Sequence, residues 1–402
     1  MSDLIPFQSD SATISIKTIS LGGNVENAVR GLGWEWCVEE DCATYLSTEA
    51  VALPRSQADE LLEAADTLYD MFVQAVPEGL PDAFLEELHI PRNLWQAVRL
   101  SWEDDRNWHL YGRFDLVQTP EGPKLIEFNA DTASAIPETA VVQWASLAAD
   151  GKKDAEQSSG LYEGLVEQLR HWRELNPDLR ASLLLVYAGI SAEDRTNCEV
   201  IAHAAKEAGF NTFVCPVEEI NVSVAEDERG VWAKSRENLW ENFSFVFKLV
   251  PWEQIAWEEP DLAHMLTDLM AKRDIVIANP AYTLLFQSKA MLARLWKMFP
   301  YHPLLVAAGT EKQGGRSVRK PVFGREGQNV QLVFPGGISM GTEGEFSGQA
   351  QVHQQFINLP QDAAGNLYQA GVFWAGEACA IGYRREKGII TNLSQFVPHI
   401  IV

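Results

Sequence analysis

Four polar residues in one short segment could form a metal site. Arg113 and Asp115 are two residues apart in YGRFDLVQ, and KLIEFNAD places Glu127 and Asn129 at the same spacing. Side chains two apart in a strand point to the same face, so each pair would share a face. If the PEGP turn closes a hairpin, the two faces meet with opposite side chains about 5 Å apart. Two carboxylates and an amide oxygen would then suit Mg²⁺ together with phosphate oxygens, and Arg113 could hold a phosphate.

A second cluster, in KPVFGREGQNV, could bind phosphate. Gly324 and Gly327 flank Arg325, and Lys320 precedes them, late in a predicted strand. Glycines let backbone N–H groups approach phosphate oxygens, and the basic side chains supply compensating charge. Lys289 opens the segment QSKAMLARLW, where a lysine opposes the helix dipole, and this misfit hints at a functional role.

Two weaker candidates come late in the chain. Arg384 in YRRE follows a strand pattern and could reach a triphosphate, and Gln355 lies at a strand end that could face an adenine edge. Each motif also has a plain structural alternative: a solvated strand face, a surface turn, or an exposed lysine or arginine. The sequence lacks the P-loop, the protein-kinase motif set, H-E-x-x-H and G-x-S-x-G.

Composition narrows the class of partner. The chain has 402 residues and a formal net charge of −24, which makes nucleic acid a poor partner and would suit a cationic ligand such as a polyamine. With no signal peptide and no long apolar run, we expect a cytoplasmic protein that is not in a membrane. Cys37 and Cys42 form a lone C-x4-C, so reduced thiols are expected rather than a metal site.

The N-terminal third must position the first cluster. The pattern predicts mainly helices in the first hundred residues, with an amphipathic helix over Ser56–Val76. Strands follow over Tyr111–Gln118 and Lys124–Asn129, then a helix that contains Gln143. Ala145–Gly160 is small and polar, which favours a linker.

The remaining chain divides into two patterns. Residues 161–283 alternate apolar strands and helices, with a buried strand over Leu183–Ile190 and a helix that ends near Gly209, as in an open α/β domain. A helix is predicted over Gln287–Phe299. From Val318 onward, strand signals dominate, which indicates an antiparallel, β-rich lobe.

In this order, several segments resemble the glutathionylspermidine synthase family of ATP-grasp ligases, and the shorter relatives without the amidase domain most closely. They are SWEDDRNWHLYGRFD, KLIEFNADTASAIPE, FKLVPWE, QSKAMLARLWKMFP, KPVFGREGQNV, QQFINLP and IGYRRE…IITNLSQFVPHIIV, within Pro91–Val402. The resemblance implies a mixed α+β and α/β chain with a permuted ATP-grasp fold, in which the metal carboxylates precede the nucleotide lysines.

The resemblance also implies a division of the chain. Residues 1–150 would hold a helical N-terminal region and the metal-binding hairpin of the grasp. Residues 151–285 would form the inserted, pre-ATP-grasp-like α/β domain on the substrate side, and residues 286–402 the nucleotide-binding segment.

Residue roles follow from the same resemblance. It assigns Mg²⁺ to Asp115, Glu127 and Asn129, and ATP to Lys289, Lys320, Arg325, Gly327 and Gln355. Arg113 and Arg384 would contact the reacting phosphates. Thr132 and Ser134 fall where the family has paired serines near the acid substrate, with Thr132 replacing a serine.

The implied activity is an ATP- and Mg²⁺-dependent ligation of a small-molecule acid to an amine through an acyl phosphate. Glutathione and a polyamine are the family's substrates, but the substrate-side segments follow the true synthetases only loosely. A non-catalytic protein that binds ATP or a polyamine, and a kinase that stops at a phosphate ester, stay open as alternatives. Glu138 and Glu253 are candidates to hold or deprotonate the amine, and the sequence gives no oligomeric state.

Overall fold

The computed structural model describes residues 13–39, 44–234, 238–312, 315–337 and 339–402, which form a mixed α/β structure. Its helices are α1 Val25–Gly31, α2 Arg55–Gln74, α3 Asp82–Glu87, α4 Trp95–Glu103, α5 Gln143–Ala149, α6 Leu161–Glu174, α7 Ala192–Glu207, α8 Trp252–Glu258, α9 Pro260–Ala271, α10 Thr283–Gln287 and α11 Ala290–Met298. A π-helical turn, Glu138–Val142, leads into α5.

The strands form five sheets among the described residues. In chain order they are β1 Thr18–Ser20, β2 Glu49–Leu53, β3 Gly112–Thr119, β4 Gly122–Asn129, β5 Ser182–Tyr187, β6 Asn211–Pro216, β7 Ile220–Ser223, β8 Gly230–Lys234, β9 Trp240–Phe243, β10 Phe245–Leu249, β11 Val276–Ala278, β12 Ala308–Gly309, β13 Ser317–Pro321, β14 Gln331–Val333, β15 Ser339–Gly341, β16 Gln351–Gln355, β17 Leu367–Trp374, β18 Ala378–Glu386, β19 Gln395–Val397 and β20 His399–Ile401.

One antiparallel sheet joins the hairpin to the end of the chain. Its strand order is β19-β18-β17-β3-β4, so β3 pairs with β17 from the last part of the chain, and β4 lies at the edge beside β3. Phe114 and Leu116 of β3 alternate with Arg113 and Asp115, and both belong to the core cluster that contains the buried face of α2. Phe114 and Phe128 stack with ring centroids 3.8 Å apart, and Phe72 of α2 meets Phe128 edge-on at 5.2 Å. This packing directs Arg113 and Asp115 to the opposite face.

A parallel sheet, β11-β10-β5-β6, forms the core of the middle segment. Leu183 and Leu185 of β5 pack with α6 and α7, while Leu184 and Val186 pack with α9 on the other face. Because both faces are covered, β5 is a continuous apolar run, as the sequence predicts. An antiparallel sheet, β7-β8-β9, lies beside this unit.

A third sheet, with order β12-β16-β13-β14-β15, is antiparallel throughout and carries two of the residues that the sequence assigns to the nucleotide. Lys320 is in β13 and Gln355 ends β16. The loop between β13 and β14 contains Arg325 and Gly327. The start of α11 lies against this loop, since the backbone N–H of Lys289 donates to the carbonyl of Val322 at 2.9 Å.

Several sequence predictions are confirmed and two need correction. The Ser56–Val76 helix, the hairpin and the β-rich final lobe are present with small shifts of boundary. The first hundred residues also contain β1 and β2, which pair with each other and with β20. Residues 145–149 belong to α5 rather than to a linker. The polar end of that segment is bonded to the core, as Gly160 N–H donates to the Cys379 carbonyl at 2.9 Å.

The cysteine prediction is tested only in part, because Cys42 lies outside the described residues, while Cys37 is buried. Within the described ranges, no helix is both long and apolar enough to cross a membrane.

Candidate functional site

The hairpin places its four polar residues in the predicted register. Arg113 pairs with Asn129 and Asp115 with Glu127, so all four lie together at the end of the hairpin farthest from its turn. The turn itself is tighter than PEGP suggests, since β4 already begins at Gly122. The register shifts just after Asp115, and this local irregularity separates the polar end of the hairpin from its regular ladder.

The Asp115 carboxylate is buried and held from two sides. Arg113 donates to it through Nε at 2.7 Å and through a terminal nitrogen at 3.2 Å, and Asn129 Nδ2 donates to Oδ2 at 3.2 Å. Burial lowers the pKa of Arg113, but the charge of Asp115 and the hydrogen bond to it, together with the charges of Glu127 and Glu138, raise that pKa overall. The other terminal nitrogen of Arg113 donates to the Ser134 carbonyl at 2.8 Å, which fixes the guanidinium.

Two buried lysines approach the other carboxylate. Lys289 Nζ lies 3.2 Å from Glu127 Oε2 and donates to the Gly324 carbonyl at 2.6 Å, while Lys320 Nζ donates to the Ile126 carbonyl at 2.9 Å. Burial alone would raise the pKa of Glu127, yet these two ammonium groups lower it to about 2. Burial lowers the pKa of Lys320 to about 8, against the opposing attraction of Glu127.

The loop after β13 requires glycine at one position. Gly327 has φ +70°, and a Cβ there would lie 2.5 Å from the Ile390 carbonyl oxygen, so only glycine fits without a shift. Lys289 holds the loop through Gly324, as described above. Arg325 forms an ion pair with Glu253 of α8.

The remaining predicted residues lie around the same space. Arg384 donates to the Thr391 carbonyl at 2.8 Å, and Gln355 is an exposed side chain at the end of β16. Thr132 and Ser134 follow β4 and are half-buried. The twelve residues that the family resemblance assigns to metal, nucleotide, phosphates and acid all line one cavity of about 740 Å³, a volume typical of small-molecule sites.

The cavity also has an acidic side that the sequence analysis missed. Glu193 and Asp194, in the first turn of α7, line it. Burial, together with the charge of Glu138, raises the pKa of Glu193 to about 7, while Arg384 lowers it. Burial likewise raises the pKa of Asp194. The cavity therefore has phosphate-compatible cations on one side and carboxylates on another.

Neither candidate for the amine base lines the cavity. Glu138 is fully buried, accepts a hydrogen bond from Tyr45 and lies close enough to raise the pKa of Glu193. Glu253 is buried against Arg325. Both are thus placed to act through a neighbour rather than on a substrate.

The hairpin residues fit a shared Mg²⁺ ion. Among the described residues, no group of three or more His, Cys, Asp or Glu side chains could hold a metal. Asp115, Glu127 and Asn129 offer two carboxylates and an amide oxygen on one cavity wall, beside cations that suit a polyphosphate. That donor set matches Mg²⁺ bound by few protein ligands and completed by phosphate oxygens and water.

Comparison with known proteins points the same way. The sequence profile of the family described as glutathionylspermidine synthase preATP-grasp matches residues 17–402. The chain is 28% identical over 364 residues to a protein of Haemophilus influenzae designated an acid–amine ligase, covering 86% of this chain and 88% of that protein. It is 26% identical over 376 residues to the bifunctional glutathionylspermidine synthetase/amidase of Escherichia coli, covering 87% of this chain and 59% of the relative.

A solved structure shares the fold at low sequence identity. It is a glutathione synthetase-like effector from Globodera pallida, with a TM-score of 0.50 at 10% identity, covering 89% of this chain and 90% of that one. The chain therefore has a mixed α/β fold of glutathione synthetase-like type.

Proposed function

The chain belongs to the glutathionylspermidine synthase family, and we propose that it is an ATP- and Mg²⁺-dependent ligase that joins an acid to an amine. The observation that carries the proposal is the convergence of three distant segments on one cavity. The hairpin supplies Asp115, Glu127 and Asn129, the start of α11 supplies Lys289, and β13 with its loop supplies Lys320 and Arg325. The relatives from Haemophilus influenzae and Escherichia coli are also named as a ligase and as a synthetase/amidase.

The proposal includes the permuted ATP-grasp arrangement. The first segment, residues 1–150, and the last, residues 286–402, would form the two parts of the grasp, with residues 151–285 inserted as the substrate-side domain. The sheet order supports this, because β3 of the hairpin pairs with β17 of the last segment. In this arrangement the carboxylates precede the lysines along the chain.

The chemistry would be phosphoryl transfer followed by amide formation. Mg²⁺ held by Asp115, Glu127 and Asn129 would neutralise phosphate charge, and Lys289, Lys320 and Arg325 would hold the phosphates in place. The substrate carboxylate takes the γ-phosphoryl group of ATP, which gives an acyl phosphate and ADP. The amine then attacks the acyl carbon, phosphate leaves, and an amide is formed with the loss of a proton from the amine. Arg113 and Arg384 would stabilise the charge that develops on the phosphoryl group.

The substrates would be a peptide-like acid and a polyamine-like amine. Thr132 and Ser134 line the cavity beside Arg113, where an acid could bind, and Glu193 with Asp194 would attract an ammonium group. The Escherichia coli relative is named for glutathionylspermidine synthesis, and this chain spans 59% of its length. We infer a cytoplasmic enzyme that uses small metabolites of this class.

ADP release from a panel of acid–amine pairs, including glutathione with spermidine, tests the proposal. We expect Asp115→Asn to lower turnover at least about 100-fold, because a hard ligand next to phosphate is lost. Glu121→Gln is the matched control, since Glu121 is an exposed carboxylate at the opposite end of the same hairpin. Wild-type turnover in Asp115→Asn would refute the assigned metal site.

Hydroxylamine separates the ligase from a kinase. An acyl phosphate is trapped as a hydroxamate, whereas a phosphate ester is not. ATP hydrolysis or phosphate transfer without hydroxamate would favour a small-molecule kinase. If Mg·ATP raises the melting temperature of the protein but no turnover is found, a binding protein is favoured.

A further inference from the structure

Glu253 is a buried carboxylate that the proposed reaction does not use. It lies in the first turn of α8 and is 1% exposed. Its Oε1 accepts a hydrogen bond from a terminal nitrogen of Arg325, and its Oε2 has no hydrogen-bond partner among the described residues. Burying a carboxylate is costly unless a cation compensates it, and Arg325 supplies that cation through the ion pair.

Arg325 lies at the cavity wall, and Glu253 binds it on the side away from the cavity. Arg325 lines the cavity and keeps about a quarter of its side chain exposed (25%), whereas Glu253 does not line it. A guanidinium has five N–H donors in a rigid fork, so one nitrogen can bind Glu253 while another faces a ligand. Its Nε is buried and, within the described ranges, unpaired.

The helix that carries Glu253 is itself fixed by buried charges. Asp131, two residues beyond the end of β4, accepts from Lys248 Nζ at 2.7 Å and from the backbone N–H of Trp252 at 3.0 Å. The Lys248 ammonium group lies 4.6 Å from the ring centroid of Trp252. The N-terminus of α8 therefore connects two regions. Asp131, just beyond β4, binds Lys248 and the Trp252 N–H, and Glu253 binds Arg325 in the loop between β13 and β14.

We propose that Glu253 is a positioning residue that holds the Arg325 guanidinium at the phosphate side of the cavity before nucleotide binds. This inference rests on the proposed function. Arg325 lies in a loop and has a long, flexible side chain that would otherwise sample many rotamers. The contact with Glu253 removes that freedom during folding, so nucleotide binding does not have to order the side chain.

A double-mutant cycle on nucleotide affinity tests the inference without any knowledge of the acid and amine. The measurement is the Kd of Mg²⁺ with a non-hydrolysable ATP analogue, by calorimetry on the full chain. Glu253→Gln keeps the shape of the side chain but removes its charge, and we expect Kd to rise about tenfold. In the Arg325→Gln background the same change should alter Kd less than about twofold, because the positioned group is already absent.

The control is another arginine that loses its carboxylate partner. Glu87→Gln removes the partner of Arg294, which lies 2.9 Å away and has a similar exposed fraction of 20%, yet neither residue lines the cavity. We expect its Kd to equal that of the wild type. If Glu253→Gln does not fold, Arg325→Lys serves instead: it keeps a cation beside Glu253 but lacks the rigid fork whose separate nitrogens would reach the carboxylate and a phosphate, so Kd should again rise about tenfold.

The outcomes distinguish the two proposals. If the wild-type protein binds the analogue and Kd is unchanged in Glu253→Gln or in Arg325→Lys, the positioning role is overturned. If Glu253→Gln raises Kd by the same factor in the wild-type and Arg325→Gln backgrounds, Glu253 has a general structural role, and the inference is overturned too. Wild-type protein that does not bind the analogue at all would overturn the proposed function itself.

Discussion

Lys320 is a buried ammonium group whose charge depends on pH near neutrality. Burial lowers its pKa to about 8, from an ordinary value of 10.5, so it is charged below pH 8 and becomes neutral as the pH rises above 8. A neutral Lys320 no longer attracts phosphate. We therefore expect the affinity for Mg²⁺ with a non-hydrolysable ATP analogue to fall between pH 7.5 and pH 9.5, which calorimetry can measure.

The arginine variant provides the comparison for this pH dependence. Arginine stays charged throughout the range, so Lys320→Arg should show a flatter dependence of Kd on pH. A wild-type Kd that is constant from pH 7.5 to 9.5 would show that the charge of Lys320 does not contribute to nucleotide binding.

The site residues that could be predicted from the sequence are those whose chemistry is visible in a local pattern. The two-residue spacing of Arg113 with Asp115 places both side chains on one strand face, whatever the rest of the fold. Glu193 and Asp194 gave no such signal, because acidic residues in the first turn of a helix are what the helix dipole favours anyway. The ion pair of Glu253 with Arg325 joins residues 72 positions apart, and no local pattern predicts such a contact.

At the level of the elements, the loop between β13 and β14 depends on a glycine that packs against another loop. Gly327→Ala would impose a positive φ on alanine and bring its Cβ to 2.5 Å from the Ile390 carbonyl oxygen. We expect a loss of about 1–3 kcal/mol in the free energy of unfolding, measured in urea. The Kd for the nucleotide analogue should also rise at least about tenfold, because the loop must move.

Gly336 offers the matched control for that loop. It also has a positive φ, +92°, but no described atom lies within 4 Å of the position its Cβ would take. Gly336→Ala should therefore lose stability from backbone strain alone and leave Kd unchanged. If the two variants weaken nucleotide binding equally, the packing of Gly327 against Ile390 does not determine the conformation of the loop between β13 and β14.

The end of β4, strand β10 and helix α8 are joined by the buried pair of Asp131 and Lys248. Burial raises the pKa of Asp131 and lowers the pKa of Lys248, while the opposite charge of each counteracts the shift in the other. Asp131→Asn leaves an uncompensated ammonium group, and we expect it to cost about 3–5 kcal/mol in the free energy of unfolding.

The second half of this test removes both charges. Asp131→Asn combined with Lys248→Met should regain most of the lost stability in urea unfolding, because no isolated charge is left buried. If the double variant is as unstable as Asp131→Asn alone, hydrogen bonding by Asp131 to the Trp252 N–H is the larger contribution.

Elements were predictable where length or burial gave a strong pattern. Helix α2 has twenty residues with a clear apolar stripe, and β5 is a continuous apolar run that is covered on both faces. Strands β1 and β2 were missed because they have only three and five residues and are stabilised by pairing, in part with β20 near the end of the chain. Short strands of this kind are specified by their partners rather than by their own residues.

At the level of the whole molecule, distant parts of the chain share one sheet and one cavity. The β3–β4 hairpin pairs with β17, and Arg385 of β18 forms an ion pair with Glu49 of β2. The order of the segments along the chain could be matched to a family, but their closure on one cavity depends on these long-range pairings. No local periodicity contains that information.

The net charge of −24 gives a last prediction, on substrate capture. A strongly negative molecule attracts a polycation such as spermidine over distances set by the Debye length, about 30 Å at 0.01 M salt and about 8 Å at 0.15 M. The carboxylates of Glu193 and Asp194 at the cavity add a local attraction. We therefore expect the KM for a polyamine to rise about tenfold between these salt concentrations, while kcat changes little.

An uncharged nucleophile separates this effect from a general effect of salt on the enzyme. Hydroxylamine is neutral at pH 7.5, so its KM should change less than about twofold over the same range, at fixed Mg·ATP. The acidic surface would then act on the amine alone. Equal salt dependence for both nucleophiles would place the effect on the nucleotide or the fold, and would remove the argument that the charge of this chain selects a cationic substrate.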